Sequence, residues 1–422
     1  MDVRARRRVA LGAGLPVLLG SATAGVTQYA FQVLAARALG SEEFSAVAVI
    51  WTIQYLLFAV WFFPLETLVA RSTLRGEEHA GPGVRLPTLY VFLVAGAAGA
   101  VSWVFRVELF GGSAVYAAVV CASALTSGAY CAVRGWLSGS ARYVDYAWLT
   151  GGESTVRLAL AAGVVLVGAT ATTFAWTVPA GAALLLLIVV MPRCRPHRRR
   201  SRSGSGSARF LVSGIAAGAG AQALLAGGPL LLPAMGATRE ETSVAFVTLM
   251  VLRAPLVVGF SGLLARVLPS LETRARAGDL AAVLLRATCW LVPAFAASGL
   301  LAAVAGPWAV GVVFGQDFRP PSAFIGLATS ASLLALANLF LDQAVVALDR
   351  ERRLAIPWGA AVIVAGLAAH LLPGDPIQVL GLAFLGGEVT AAVGLLIVVH
   401  RVPRAHRDAA SGGRPLGRDS HG

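Results

Sequence analysis

Lysine is absent from this chain: all 34 of its basic residues are arginine. Charge of any kind is scarce, since Asp, Glu, Lys and Arg make up 13% of the 422 residues, against about 25% in a soluble domain. Hydrophobic residues make up 57%, more than a soluble core has room for. These proportions exclude a cytosolic enzyme, a nucleic-acid binder and a disordered scaffold, and leave an integral membrane protein. Cysteine is scarce too. Cys121, Cys131, Cys194 and Cys289 form no C-x-x-C pair, which argues against a disulfide framework or a zinc site. The chain lacks a G-x-x-x-x-G-K-S/T phosphate loop, an H-E-x-x-H helix and a paired-Asp motif of metal-dependent glycosyl transfer. No extracytoplasmic loop is long enough to fold into a catalytic domain, and loops are where catalytic groups usually sit. The chain therefore reads as a non-enzyme without cofactor or metal. Its net charge of +13 would alone suggest nucleic acid, but the arginines lie between apolar runs, as membrane topology demands.

What is present is a succession of those runs. A helix needs about 20 apolar residues to cross a bilayer. Twelve runs qualify: 9–36, 44–70, 86–105, 113–133, 144–168, 171–191, 210–234, 242–265, 280–305, 321–348, 354–372 and 377–399. They are continuous rather than alternating, so the spans are helices and not barrel strands. Arginine alternates between the connecting loops. One side carries twenty-eight, from Arg4 at the start to the tail; the other carries Arg37, Arg106, Arg239 and Arg319. Cytoplasmic loops retain Arg, so both termini are expected in the cytoplasm. Arg-rich residues 4–8 and Ala22-Thr23-Ala24 imitate a signal peptide. The apolar run continues well past Ala24, which favours an uncleaved first span.

A Gly/Ser-rich, seven-arginine stretch at 192–209 divides the chain. The expected organisation is an N-terminal six-helix lobe (1–191), a cytoplasmic linker (192–209), a C-terminal six-helix lobe (210–400) and a disordered tail (401–422). The halves echo each other. Leu39-Gly40-Ser41-Glu42-Glu43-Phe44-Ser45 resembles Met235-Gly236 with Glu240-Glu241-Thr242-Ser243, and Phe110-Gly111 resembles Phe314-Gly315. Both halves begin on the same side, as parallel repeats about an axis along the membrane normal do, with a site at their interface near the midplane.

Polar residues inside the spans mark function or structural pairs, because a charge at the bilayer centre is costly. Gln28 and Gln32 lie one turn apart in span 1. Tyr55 and Glu66 lie in span 2, with Pro64 beside the Glu. Arg134 ends a polar stripe of span 4. Glu153 and Arg157 sit at i, i+4 in span 5, in the order that favours an internal pair. Span 8 has Arg253, span 10 has Asn338 and Asp342, and span 12 has Glu388. Arg253, Arg157, Arg134, Gln28, Gln32 and Tyr55 are the candidate substrate-binding residues. Glu66, Asp342, Glu388 and Glu153 are the candidate ion-coupling acids. The bland alternatives are neutralisation of Glu153 by Arg157, snorkelling of Arg134, and interhelical hydrogen bonding by the two glutamines.

Four segments resemble the multidrug/oligosaccharidyl-lipid/polysaccharide exporter superfamily, and within it the bacterial polysaccharide flippases of the O-antigen and capsule type. They are Ala36 to Ser45, Arg134 to Tyr143, Gly306-Pro307-Trp308 with Val313 to Phe318, and Arg253-Ala254-Pro255 to Leu268-Pro269-Ser270. The resemblance implies two six-helix lobes around a central cavity. It implies alternating-access transport of a polyprenyl-phosphate type lipid-linked saccharide across the bacterial cytoplasmic membrane, with membrane lipids, glycosyltransferases or a polymerase as partners. The drug/cation antiporter branch usually has an acidic residue in span 1; this span has none.

Two other functions compete: a proton- or sodium-coupled small-molecule exporter, and a non-transporting membrane partner of glycan-assembly enzymes. The span 2–3 loop lacks the G-x-x-x-D-R-x-G-R-R-like motif of major-facilitator transporters. The span acids outnumber the bases, so two acids are expected to stay unpaired, and such a carboxylate takes a proton or binds a cation. Arg253 lies eleven residues into its run, about 16 Å deep at 1.5 Å per residue. Leu249, Met250, Leu256 and Val257 leave it no acid on its own helix. Glu66, Asp342 or a substrate pyrophosphate are its expected partners.

Overall fold

The computed structural model describes residues 3–74, 82–193, 205–253, 280–348, 350 and 353–400. The helices are α1 (Val3–Leu56), α2 (Phe63–Leu74), α3 (Pro82–Val104), α4 (Arg106–Phe110), α5 (Val115–Gly139), α6 (Tyr143–Val167), α7 (Ala171–Arg193), α8 (Ser205–Ala226), α9 (Gly228–Ala234), α10 (239–253), α11 (Leu280–Phe314), α12 (Ser322–Ala347), α13 (Ala355–Leu371) and α14 (Pro376–His400). Eight helical segments among the described residues are long and apolar enough to cross a membrane, and α13 is a shorter apolar helix. The architecture is an all-α polytopic one of two six-helix lobes. Of the expected linker 192–209, residues 194–204 lie outside the described residues, as do the tail and the second half of span 8; residues 192–193 end α7 and 205–209 begin α8.

Local sequence explains the breaks. Phe31 stacks on Trp51 with ring centroids 5.2 Å apart. Twenty helical residues would separate them by about 30 Å, so α1 folds back on itself. The bend is at Gly40, whose φ of 73° is open chiefly to glycine. Span 2 is interrupted by a π-helical turn, Leu57–Phe62. Pro64 follows it; proline has no N–H and crowds the carbonyl four residues back, and the π turn absorbs that mismatch. The run 210–234 is not one helix. It breaks at Gly227, and Pro229 sits in the first turn of α9, where its missing N–H costs nothing. α10 starts from a capping box: the Thr238 N–H donates to Glu241 Oε2 at 2.6 Å and the Glu241 N–H to Thr238 Oγ1 at 3.1 Å.

The echoed motifs are echoed in the backbone. Gly40 and Gly236 have φ of 73° and 80°, and Gly111 and Gly315 have φ of 60° and 119°. Glycine also sets helix spacing. At Gly135 and Gly139 of α5 an added Cβ would come within 2.5 Å of the Glu66 and Ala70 carbonyl oxygens of α2. This G-x-x-x-G face lets two backbones touch and brings Arg134 beside Glu66.

One apolar cluster belongs to both lobes. It joins Phe31, Phe44, Trp51, Phe174 and Val178 to Phe246, Met250, Phe314, Phe318 and Ile325. Further clusters fill each lobe. Leu211 of α8 packs with Leu57, Leu65 and Val69 of the N-terminal lobe, so the lobes also meet along α2 and α8.

Candidate functional site

The span charges sort into separate constellations. In the N-terminal lobe Arg134 Nη2 lies 3.3 Å from Glu66 Oε1. The Tyr146 hydroxyl donates to the same Glu66 oxygen at 3.1 Å and accepts from Arg134. The guanidinium also faces the rings of Tyr146, Tyr130 and Phe58, 4.7, 5.5 and 5.6 Å from their centroids, cation–π partners for a charge out of water. Arg134 is therefore paired inside the lobe and does not snorkel. One turn pair away, Arg157 binds Glu153 on the same helix and lies 4.9 Å over the Trp51 ring. Both are buried.

In the C-terminal lobe the Asn338 amide donates to Glu388 Oε2 at 2.8 Å and to the Glu388 carbonyl at 2.9 Å. Asp342, one turn beyond Asn338, accepts from Trp358 Nε1 at 3.1 Å. Glu388 is 1% exposed. Among the described residues neither acid has a salt-bridge partner.

The expectation that Glu66 or Asp342 would neutralise Arg253 is corrected by these pairings. Glu66 is drawn to Arg134 by the close approach at Gly135, and Asp342 is turned towards α13. Arg253 instead stands at the lobe interface, 5.9 Å from the centroid of the Tyr55 ring. Its Nε and Nη2 are buried with no hydrogen-bond partner. Around it the lobes are tied by two phenols. The Tyr55 hydroxyl donates to Gln222 Oε1 at 3.1 Å and the Tyr29 hydroxyl to the Met250 carbonyl at 2.6 Å. The offset that aligns Glu42-Glu43 and Ser45 with Glu240-Glu241 and Ser243 also aligns Tyr55 with Arg253, so equivalent positions of the two repeats face each other. Gln28 is half-buried. Gln32 is fully buried, with neither amide atom bonded, so it does not tie helices together here.

Tyr29, Gln222 and Trp358 were not singled out by sequence. Gln222 had a usable signal, as a lone amide in the Ala/Gly-rich stretch Gly214–Ala226. Tyr29 and Trp358 resemble any interfacial aromatic residue until packing is known.

At the arginine-poor end the lobes are latched. Arg37 donates to the Val312 and Val313 carbonyls at 2.6 and 2.9 Å, free carbonyls at the end of α11. The Ser41 hydroxyl donates to Glu240 at 3.1 Å, and the Ser243 hydroxyl donates to the Ser41 carbonyl at 2.5 Å. Beneath them Phe44 packs on Phe246 and Phe318, with centroids 5.8 and 5.7 Å apart.

The chain matches no protein-family model. It is 29% identical over 383 residues to an uncharacterized protein of Mycobacterium bovis, covering 86% of this chain and 87% of that one. Among solved structures it resembles the lipid II flippase MurJ in an inward closed conformation, with a TM-score of 0.66, 12% identity, and coverage of 91% of this chain and 87% of that one. It equally resembles a multidrug resistance MATE family transporter of the MOP superfamily in an inward-facing conformation, with a TM-score of 0.65, 13% identity, and coverage of 93% and 96%. The chain has the fold of MOP-superfamily transporters. That fold is a multi-pass membrane one.

Proposed function

We propose that the chain flips a lipid-linked saccharide from the cytoplasmic to the outer face of the membrane by alternating access, for cell-surface glycan assembly. The carrying observation is Arg253. A guanidinium between two lobes, with two unpartnered donors and no carboxylate partner among the described residues, suits an anionic headgroup, since Arg pairs bidentately with phosphate. The structural likeness to a lipid II flippase supports the same reading. The lack of an acid in span 1, where Gln28 and Gln32 stand, weighs against a drug/cation antiporter. With the arginine-rich loops inside, the latched end is the outer one, and the described conformation is closed to the outside. Asp342 and Glu388, lacking cationic partners among the described residues, are the groups that would exchange a proton or sodium ion during the cycle.

Deleting the gene is expected to leave lipid-linked sugar on the cytoplasmic face, measured by its accessibility to added lectin or glycosidase in oriented vesicles. Re-expression restores the outer pool. Unchanged glycan and lipid-intermediate profiles reject the flippase, and proton-dependent drug efflux in the same vesicles points to an exporter instead.

A further inference from the structure

The charge at Arg253 allows the headgroup to be narrowed, resting on the flippase reading above. Arg134, Arg157 and Arg253 are the candidate substrate-binding arginines. Arg134 is neutralised by Glu66 and Arg157 by Glu153, and neither pair leaves net charge for a ligand. Arg253 alone among them has no carboxylate partner among the described residues, and it holds two unpartnered donors, Nε and Nη2. These two lie on one edge of the guanidinium, the parallel pair that meets two oxygens of a single phosphate or carboxylate. The two phenols at the lobe interface add no donors, because the Tyr55 proton goes to Gln222 and the Tyr29 proton to the Met250 carbonyl. The Tyr55 ring beside the guanidinium stabilises a cation and leaves the Nε–Nη2 edge for the ligand.

We infer that the headgroup bound at Arg253 contains one phosphate: a phosphodiester joining sugar to polyprenol, not a pyrophosphate. A phosphodiester carries a single negative charge and presents two non-bridging oxygens, matching the one uncompensated charge and the one unpartnered edge. A pyrophosphate diester carries a second charge. Among the described residues no second unpaired arginine stands beside Arg253 to meet that charge, and an unpaired buried charge is strongly unfavourable.

The test uses the purified full chain in lipid nanodiscs and three synthetic probes with the same sugar and the same polyprenyl tail. One has a monophosphate link, one a pyrophosphate link, and one a glycosidic link without phosphate. The monophosphate probe is expected to bind at least ten-fold more tightly than the pyrophosphate probe, and more tightly than the neutral one. Arg253→Ala is expected to reduce its binding to the neutral level, and Arg253→Lys to give an intermediate affinity, keeping the charge without the planar edge. Should Arg253→Ala fail to fold, the ranking of the three probes on the unaltered chain decides alone. Pyrophosphate binding as tight as or tighter than monophosphate overturns the single-phosphate inference and leaves the flippase reading standing. Equal binding of all three, or none, overturns the lipid-linked reading itself.

Discussion

At the residue scale, the polar side chains of the spans divide by whether they have found a partner in their own lobe. Arg134 and Glu66 have, and both are enclosed, with side chains 14% and 9% exposed. Removing one member of such a pair strands the other as an uncompensated buried charge, which typically costs 3–5 kcal/mol, whereas replacing both is close to neutral. Arg134→Ala is therefore expected to destabilise the chain by about 3 kcal/mol. The double change Arg134→Met with Glu66→Gln should recover most of the loss, read as melting temperature in detergent. Equal stability of the single and double variants would show that the pair is not coupled. The i, i+4 spacing of Glu153 and Arg157 made their pairing legible in advance. The Glu66–Arg134 contact was not legible, because it joins residues 68 positions apart in different helices.

At the element scale, the latch at the arginine-poor end is built from the turn after span 1 and the start of α10, which are echoed segments of the two repeats. Gly40 turns the chain, and Ser41 then faces Ser243 and Glu240 across the lobe boundary. Arg37 reaches the end of α11, where uncapped carbonyls attract a cation. If the lobes separate here during transport, fastening them must stop it. In a chain with its four native cysteines replaced, Ser41→Cys with Ser243→Cys is expected to react with a short thiol-to-thiol cross-linker and lose transport. Each single variant should keep most of its activity under the same treatment. Continued transport by the fully cross-linked double variant would mean that this end does not open. The motif echoes announced both segments; that they touch each other depends on how the two lobes pack.

At the scale of the whole molecule, ion coupling through Asp342 and Glu388 would have to reach Arg253 indirectly, because each acid is held inside the C-terminal lobe. Glu388 is held by Asn338 and Asp342 by Trp358, whereas Arg253 stands against Tyr55 of the other lobe. Ion occupancy would then act through the packing of the C-terminal helices, as a shift between two states of the whole bundle. Glu388→Gln keeps the shape and an acceptor oxygen for Asn338 but loses the charge. Transport in this variant is expected to become insensitive to collapse of the proton and sodium gradients, at unchanged protein level, while the native chain slows under the same collapse. A native chain indifferent to both gradients would remove ion coupling from the mechanism.

Composition and periodicity alone determined that this chain crosses a membrane repeatedly as helices, in two related halves. Those properties follow from local physics: apolar length against bilayer thickness, internal satisfaction of every backbone hydrogen bond and a motif repeated along the chain. They also located the inner acids and arginines, because a charge in an apolar run is visible without a fold. Which charge meets which was decided by tertiary structure. Glu66 pairs with Arg134 because Gly135 and Gly139 let α5 approach α2, and Arg253 is left with two unpartnered donors beside Tyr55 of the other lobe. A side chain's partner depends on helix rotation and crossing across the interior, and in an apolar medium a change of one partner decides whether the same arginine is a structural ion pair or a free anion site.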